Sequence, residues 1–239
     1  MTVPVPQSSG TTNFGLSNAT VLIEAFDRLG FEPTRITRHQ LISGRRSLNL
    51  ELQLWSNRGL NLWKMVQGTI NLVAGQAVYD IRPILIDMTE MYYTTVDTTG
   101  GPNSIDRIMV PITRTQYDQL SNKGQQGLPT QYWFQRYISP QVTIWEVPYA
   151  GAPDYVCNWW GLQQIFDAGI AGAETPDVPY RGFDALAAGV CARLAEKFAP
   201  ARLTEKRALA KESFLEFAEN DQEAGAFVLS PNVAGYRRM

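Results

Sequence analysis

The pattern of residue types changes twice along the sequence, and these two changes constrain the fold more than any single motif does. Between about Leu72 and Pro179 it contains short runs of Val, Ile, Tyr and Thr broken by Gly and Pro, which is typical of β-strands joined by turns. Both flanks instead carry apolar residues at helical spacing. We therefore predict an α+β fold, in which the two ends of the chain form one helical bundle and the middle forms a small inserted antiparallel β domain.

Four helices are predicted in the flanks. Capping oxygens at Ser17 precede the first helix, and Thr37 can cap the second. In the second helix, apolar residues recur every seven positions from Leu41 to Leu62, with Leu52 and Val66 interleaved. Alternating leucines at 48–54 would also fit a strand, but Leu, Asn, Glu and Gln lack the β-branched bias of strands, so we favour a helix. Pro200 separates the last two helices. The four segments are 18–29, 37–66, 183–198 and 203–227.

The middle of the chain holds six candidate strands. A short helix is predicted at 113–120, and exposed loops at 98–102 and 121–127. The domain boundaries expected from these patterns are 1–70 for the first helical segment, 71–180 for the β domain, 181–228 for the last helices and 229–239 for a polar tail. The candidate strands are Ala77–Ile81, Glu90–Val96, Ser104–Val110, Thr130–Arg136, Val142–Glu146 and Asp154–Gln163.

The composition indicates a chain that folds without external support. Its 239 residues, of which 44% are hydrophobic, suffice to bury a core without disulfides or metals. The net charge of −2 gives no basic footprint for gripping phosphate backbones. The charge is uneven, since residues 1–70 carry +3, residues 71–180 carry −6 and residues 181–239 carry +1. We therefore expect no tight binding of DNA, and an acidic β segment between mildly basic helical ends.

Residue types that carry enzyme chemistry are scarce. The single histidine, His39, lies near the predicted start of a helix, which favours a solvated or capping role over a catalytic one. Cys157 and Cys191 have no metal-ligand spacing, and no glycine-rich loop matches a nucleotide site. The apolar runs are all shorter than the roughly 18 residues of a membrane span. We expect no enzyme activity, no cofactor, no metal and no membrane association.

Two alternative functions stay open on the residues alone. Residues 71–180 contain eleven acidic side chains, and a cell-wall glycosidase needs only two carboxylates a few ångströms apart. Aromatic residues such as Trp133 and Trp160 could instead stack on sugars, as in a carbohydrate-binding β module. We favour a solvated acidic face and aromatic residues that pack partly in the core.

Six local patterns occur in order along nearly the whole chain. Together they resemble the head-to-tail adaptor (connector) proteins of short-tailed bacteriophages, although Arg82 and Pro83 interrupt the strand that follows Tyr79 in the family pattern. The patterns lie at Ile23–Gly30, at Leu48–Trp55 with Gly59–Trp63, at Leu72–Tyr79, at Gly127–Trp133, at Ile144–Pro148 and at Val178–Leu186.

The resemblance implies a structural, non-enzymatic role in the virion. In such a role about twelve copies form a ring, a homo-oligomer that binds the portal protein on one side and the distal tail (nozzle) protein on the other. DNA passes through the lumen without specific binding, and assembly takes place in the cytoplasm of the bacterial host.

Three sets of residues are candidate contacts in such a ring. The alternative for the candidates in the C-terminal tail is that this terminus has no partner. The alternative for the lateral candidates is that they pack inside the subunit's own helical bundle, which we expect for more than half of such residues. The portal candidates are Val228, Leu229, Val233, Tyr236, Arg237 and Arg238. The lateral candidates are Leu50, Leu54, Leu60 and Trp63. The tail-facing loop candidates are Thr99, Gly100, Gly101, Asn122, Lys123 and Gln125.

Overall fold

A computed structural model describes residues 15–58, 62–95, 105–149, 156–170 and 172–221 of the chain. The predicted loop at 98–102 and the tail at 229–239 lie outside these ranges, as does Leu60. The described residues combine helices with mainly antiparallel strands, so the predicted α+β class is confirmed. The predicted domain boundaries stay a prediction.

Five α-helices are formed by the described residues. The side chain of Ser17 accepts a hydrogen bond from the Thr20 amide at the start of the first helix. Thr37 and Gln40 form a reciprocal capping box at the start of the second. The predicted caps therefore begin both helices. The five are α1 (Asn18–Asp27), α2 (Arg38–Asn57), α3 (Arg114–Gln119), α4 (Phe183–Phe198) and α5 (Leu203–Glu219).

Three helix ends differ from the prediction, and the smallest difference is that α1 ends at Asp27 instead of 29. Helix α2 ends at Asn57, and a strand begins at Met65, so the predicted helical extension to Val66 is wrong. The helix prediction extends to Val66 because this residue is apolar and follows Leu62 at helical spacing. In the structure, Val66 packs on the core of the sheets rather than on the helices. Helix α5 ends at Glu219 instead of 227. There Asn220 donates to the carbonyl of Glu216, and Arg181 binds Asp221 just beyond the helix.

The strands form two four-stranded sheets and a short two-stranded one. The first sheet has the order β1-β10-β3-β4, the second β2-β8-β7-β5, and β6 pairs with β9. All pairings are antiparallel except β5 with β7 and β6 with β9, which are two residues long. The strands are β1 (Met65–Asn71), β2 (Val78–Asp80), β3 (Leu85–Thr95), β4 (Ile105–Ile108), β5 (Val110–Pro111), β6 (Gln126–Gly127), β7 (Gln131–Gln135), β8 (Gln141–Trp145), β9 (Val147–Pro148) and β10 (Val156–Gln163).

Each of the six predicted strands overlaps an observed one, with three local differences. Strand β3 starts at Leu85, five residues before the predicted Glu90, because it follows β10 past two shifts in register. The strand predicted at 104–110 is divided at Met109, where the chain crosses from the first sheet to the second with this side chain buried. The loop predicted at 121–127 ends in strand β6.

The two sheets enclose one core, and the helices enclose another. Residues of both four-stranded sheets meet in the first core, including Met91 and Trp159 from one sheet and Tyr132 from the other. Helix α4 is the centre of the helical core and packs on α1, α2 and α5. The segment 164–178, which joins β10 to α4, also inserts Ile165 and Val178 into the helical core. Both ends of the described chain therefore contribute to one bundle.

Candidate assembly surfaces

Helix α2 is buried on one side and carries apolar side chains on the other. Leu48, Leu52 and Trp55 are buried in the helical core. On the opposite side, Ile42 is 39% exposed and Leu50 is 50% exposed. The exposed Arg46 lies between these two residues on the same side of the helix. This exposed side, called the α2 strip below, therefore presents two separate large apolar side chains that the described part of the subunit leaves uncovered.

A polar groove runs beside this strip between α2, α4 and α5. It encloses about 310 Å³ and is lined by Leu54, Arg58 and Phe214, among others. At its floor, Glu51 is 6% exposed, accepts a hydrogen bond from the Trp55 indole at 3.0 Å and forms an ion pair with Arg193. The pairing compensates the burial of the Glu51 charge. The groove is therefore a rigid border of the α2 strip.

A second groove of about 480 Å³ lies on the other side of α2, against the segment 164–178. Asn49 accepts a hydrogen bond from the Ala168 amide at 2.8 Å, and Arg45 donates to the Ile170 carbonyl at 2.8 Å. These bonds hold the segment on the helix. Two of its apolar side chains stay exposed, with Phe166 at 52% and Ile170 at 86%. These side chains and Leu50 are separated by a groove whose lining includes the polar Asn49 and Gln53.

Trp63 lies inside the subunit rather than on this face. It sits in a short 3-10 turn between α2 and β1, contacts the ring of Phe217 at a centroid distance of 5.6 Å and donates to the Asp177 carbonyl at 3.3 Å. The neighbouring Lys64 forms an ion pair with Asp177 and lies over the ring of Phe166. The structure therefore assigns Trp63 an internal contact, the alternative stated for the lateral set.

Of the three lateral candidates that the structure describes, only Leu50 is exposed, at 50%. Leu54 is half-buried at the groove, and Leu60 is outside the described residues. The structure brings Leu50 and Leu54 to the same side of the subunit. It does not bring Trp63 there.

The described tail-facing candidates lie on an exposed but well-anchored loop. Lys123 contacts Asp118 at 3.4 Å, and Gln125 donates to Glu146 at 2.8 Å. The carbonyl of Asn122 accepts a hydrogen bond from the Trp145 indole at 3.0 Å. This loop is therefore fixed to the second sheet. Thr99, Gly100 and Gly101 lie outside the described residues, and so do all six portal candidates in the tail.

One exposed apolar feature was missed by the sequence reasoning. The hairpin between β7 and β8 presents Tyr137 at 60% exposure and Ile138 at 98%. The available signal was the short interval between the predicted strands 130–136 and 142–146, which requires a tight hairpin whose tip cannot be buried.

The potential chemical groups of the described chain are exposed or locked in pairs. His39 is exposed in the first turn of α2. Both thiols are buried, and burial raises the pKa of Cys157 to about 12 and the pKa of Cys191 above its ordinary value. In the ranges that the structure covers, no group of three His, Cys, Asp or Glu side chains is arranged to hold a metal ion. Nor is any described helix both long and apolar enough to cross a bilayer.

The exposed apolar side chains on α2 and on the β7–β8 hairpin are candidate contacts for other chains. Comparison of the sequence with known protein families identifies the class of protein. The chain belongs to the SU10 adaptor protein family, whose sequence model matches residues 18–232. It is a bacteriophage adaptor and a component of the virion, as the resemblance predicted. No curated protein matches the chain.

Proposed function

We propose that this protein is the head-to-tail adaptor of a short-tailed bacteriophage and works as a ring of about twelve copies. The ring lies between the portal protein and the distal tail protein, and forms in the cytoplasm of the bacterial host. Membership of the adaptor family supports the role at the head-to-tail junction. The role needs no catalytic group, because it consists of binding two partners and leaving a passage open.

The observation that carries the ring is the apolar strip of α2. Leu50 is half exposed on a helix whose other sides already pack on α1 and α4. A ring subunit needs two different lateral surfaces that bind each other head to tail. We assign Leu50 and Leu54 to one of these surfaces. The partner surface on the next copy would cover the strip and the adjoining groove.

The two axial contacts are assigned by position in the chain. The described residues end at Asp221, which is tied to Arg181. Five of the six portal candidates lie in the tail at 229–239, and Val228 directly precedes it. We assign the tail to the portal. The anchored loop with Asn122, Lys123 and Gln125 lies on the sheets, away from the helical core, and is assigned to the distal tail protein.

DNA would cross this ring without being held. The −6 charge of residues 71–180 includes Asp167, Glu174 and Asp177 in the segment that joins β10 to α4. An acidic or neutral lining repels phosphates and releases no counterions, so that the polymer can slide. A tight, salt-sensitive complex of the ring with duplex DNA would contradict this part of the proposal.

The decisive experiment is a measurement of mass in solution with and without the portal. We expect the protein alone to be a monomer and to form a ring of about twelve copies on the portal. Deletion of residues 229–239 should abolish portal association and leave the melting temperature of the subunit unchanged. A stable monomer that ignores the portal would contradict the adaptor assignment. Unchanged association after the deletion would contradict the role of the tail alone.

A further inference from the structure

Strand β1 is an open sheet edge without the usual protection. It pairs in unbroken register with β10 along all seven residues and, among the described residues, has no strand on its other side. Its sequence, Met-Val-Gln-Gly-Thr-Ile-Asn, contains no charged residue and no proline. Soluble proteins usually block such an edge with a charge, a proline or a bulge, because free amides and carbonyls there bind other strands. An unprotected edge of this length indicates a strand partner.

The opposite edge of the same sheet is also open. Strand β4 pairs with β3, and no second strand borders it within the described ranges. Ile108 at its end is 83% exposed, and Val110, just beyond the buried Met109, is 57% exposed. One large apolar side chain, that of Ile108, is therefore exposed at this edge, whereas Val110 belongs to β5, which pairs with β7 in the second sheet. The sheet has one open edge on each side, as a head-to-tail contact requires.

The strand directions allow these two edges to meet without inverting a subunit. The four strands β1, β10, β3 and β4 alternate in direction, so β4 runs opposite to β1. When one copy is rotated about a ring axis next to another, β4 of the first copy faces β1 of the second in antiparallel orientation. Antiparallel pairing has the better hydrogen-bond geometry. The even number of strands thus makes the sheet suited to head-to-tail continuation.

The register of the sheet indicates which residues would face each other. Thr69 is opposite Asn158, Asn158 is opposite Tyr92, and Tyr92 is opposite Ile108, so these four residues form one row across the sheet. If the row continues into the next copy, Ile108 lies opposite Thr69. Directly opposed residues of an antiparallel pair have Cβ atoms roughly 5 Å apart.

A cleft beside β1 is lined for such a partner. It encloses about 390 Å³ between β1 and β2. Trp159 borders it and is 3% exposed, and its indole N–H finds no acceptor among the described residues. Its ring lies directly against Gly68, where any side chain would overlap it. A backbone carbonyl entering from a neighbouring strand would supply the acceptor that a buried indole normally has.

The charges at the two edges are complementary. The cleft carries Asp80 and Arg82, and strand β4 carries Asp106 and Arg107. Neither arginine forms an ion pair with any residue in the described part of the chain. Each edge therefore offers one acid and one base to the other, which favours the meeting of two copies.

We propose that the occupant of the β1 edge is a second copy of this chain. Strand β4 of one copy pairs with β1 of the next, so that one sheet continues from subunit to subunit. The proposal rests on the ring described under the proposed function, and adds a lateral contact to the one assigned to α2.

The test is disulfide cross-linking in rings assembled on the portal. We combine Ile108→Cys with Thr69→Cys and, to scan the register, with Gln67→Cys or Asn71→Cys. The side chains at all four positions are exposed in the subunit. The native Cys157 and Cys191 are buried. After mild oxidation, we expect the Thr69→Cys/Ile108→Cys variant to give a ladder of covalent dimers, trimers and higher species. Neither single variant should give the ladder.

The matched control pairs Ile108→Cys with Ile138→Cys, which is 98% exposed on a hairpin of the other sheet. It should stay monomeric on denaturing gels. Rings that form on the portal but show no ladder at position 67, 69 or 71 would overturn the proposal and leave the adaptor function intact. An equal ladder in the control would overturn it too. If the wild-type chain formed no ring, the proposed function would fail as well.

Discussion

Cys157 shows how the environment of a single residue sets a measurable property. Its thiol is fully buried between the sheets, and this burial raises its pKa from 9.0 to about 12. Between these values the unfolded chain loses a proton that the folded chain keeps. The free energy of unfolding should therefore fall as the pH rises from about 9 to 12, by up to about 1.4 kcal/mol per pH unit from this group.

Urea unfolding at a series of pH values checks this prediction. Burial also raises the pKa of Tyr132 to about 12, so other groups contribute to the same trend. The comparison with Cys157→Ala isolates the thiol, because this variant has no proton to lose there. Its stability should fall less steeply with pH than that of the wild type. Two parallel curves would show that the folded thiol ionises normally.

Glu51 illustrates why contacts at this scale could not be predicted from the sequence. In the run Leu-Glu-Leu-Gln it resembles a solvated helix residue. The structure buries it beside Gly189, whose missing side chain leaves room for the carboxylate, and pairs it with Arg193. Both partners are more than 130 positions away along the chain. Only the packing of α2 on α4 brings them together, and local periodicity does not encode that packing.

The elements themselves were predictable where a local signal fixes their ends. The side-chain caps of Ser17 and Thr37 and the break at Pro200 placed the corresponding helix ends correctly. The end of α2 was not predicted, because apolar residues continued at the helical period into β1. The start of β3 was missed because its first five residues pair with the far end of β10, which is a long-range contact. The order of strands in the sheets could not be predicted from the sequence for the same reason, because it depends on long-range contacts.

The segment that joins β10 to α4 depends on the ion pair of Lys64 with Asp177. The Lys64 side chain is 7% exposed, and the same carboxylate oxygen accepts from the Phe166 amide at 2.9 Å. Asp177→Asn keeps an acceptor for this amide but leaves the lysine charge buried without its partner. We expect a loss of about 3 kcal/mol in the free energy of unfolding, measured in urea.

The double variant Lys64→Met/Asp177→Asn provides the control. Removing the buried charge together with its partner should restore much of the lost stability, because the methionine side chain fills similar space. If Asp177→Asn were as stable as the wild type, the ion pair would not hold the segment. A double variant no better than the single one would indicate that the loss comes from the hydrogen bonds of Asp177 instead.

At the scale of the whole molecule, the helical core and the sheets contribute different surfaces to one assembly. In the proposed ring, α2 and the sheet edges make lateral contacts, and the tail and the anchored loop make axial ones. The family was recognisable from the order of weak local patterns. The exposed edges were not, since exposure of an edge depends on which strand has no neighbour, and this is decided only when the whole sheet is formed.

Leu50→Glu tests the lateral role of α2 in this assembly. Since Leu50 is half exposed in the isolated subunit, the change should alter the subunit's melting temperature little. In a ring, the carboxylate would be buried against the next copy without a partner, at a cost of several kcal/mol per contact. Every contact of the ring carries the same penalty, because the copies are related by symmetry. The mass measured on the portal should then correspond to monomers or to incomplete rings. Leu50→Met, which keeps an apolar side chain of similar volume, should still close the ring. A variant Leu50→Glu that assembles as well as the wild type would place the lateral contact elsewhere on the subunit.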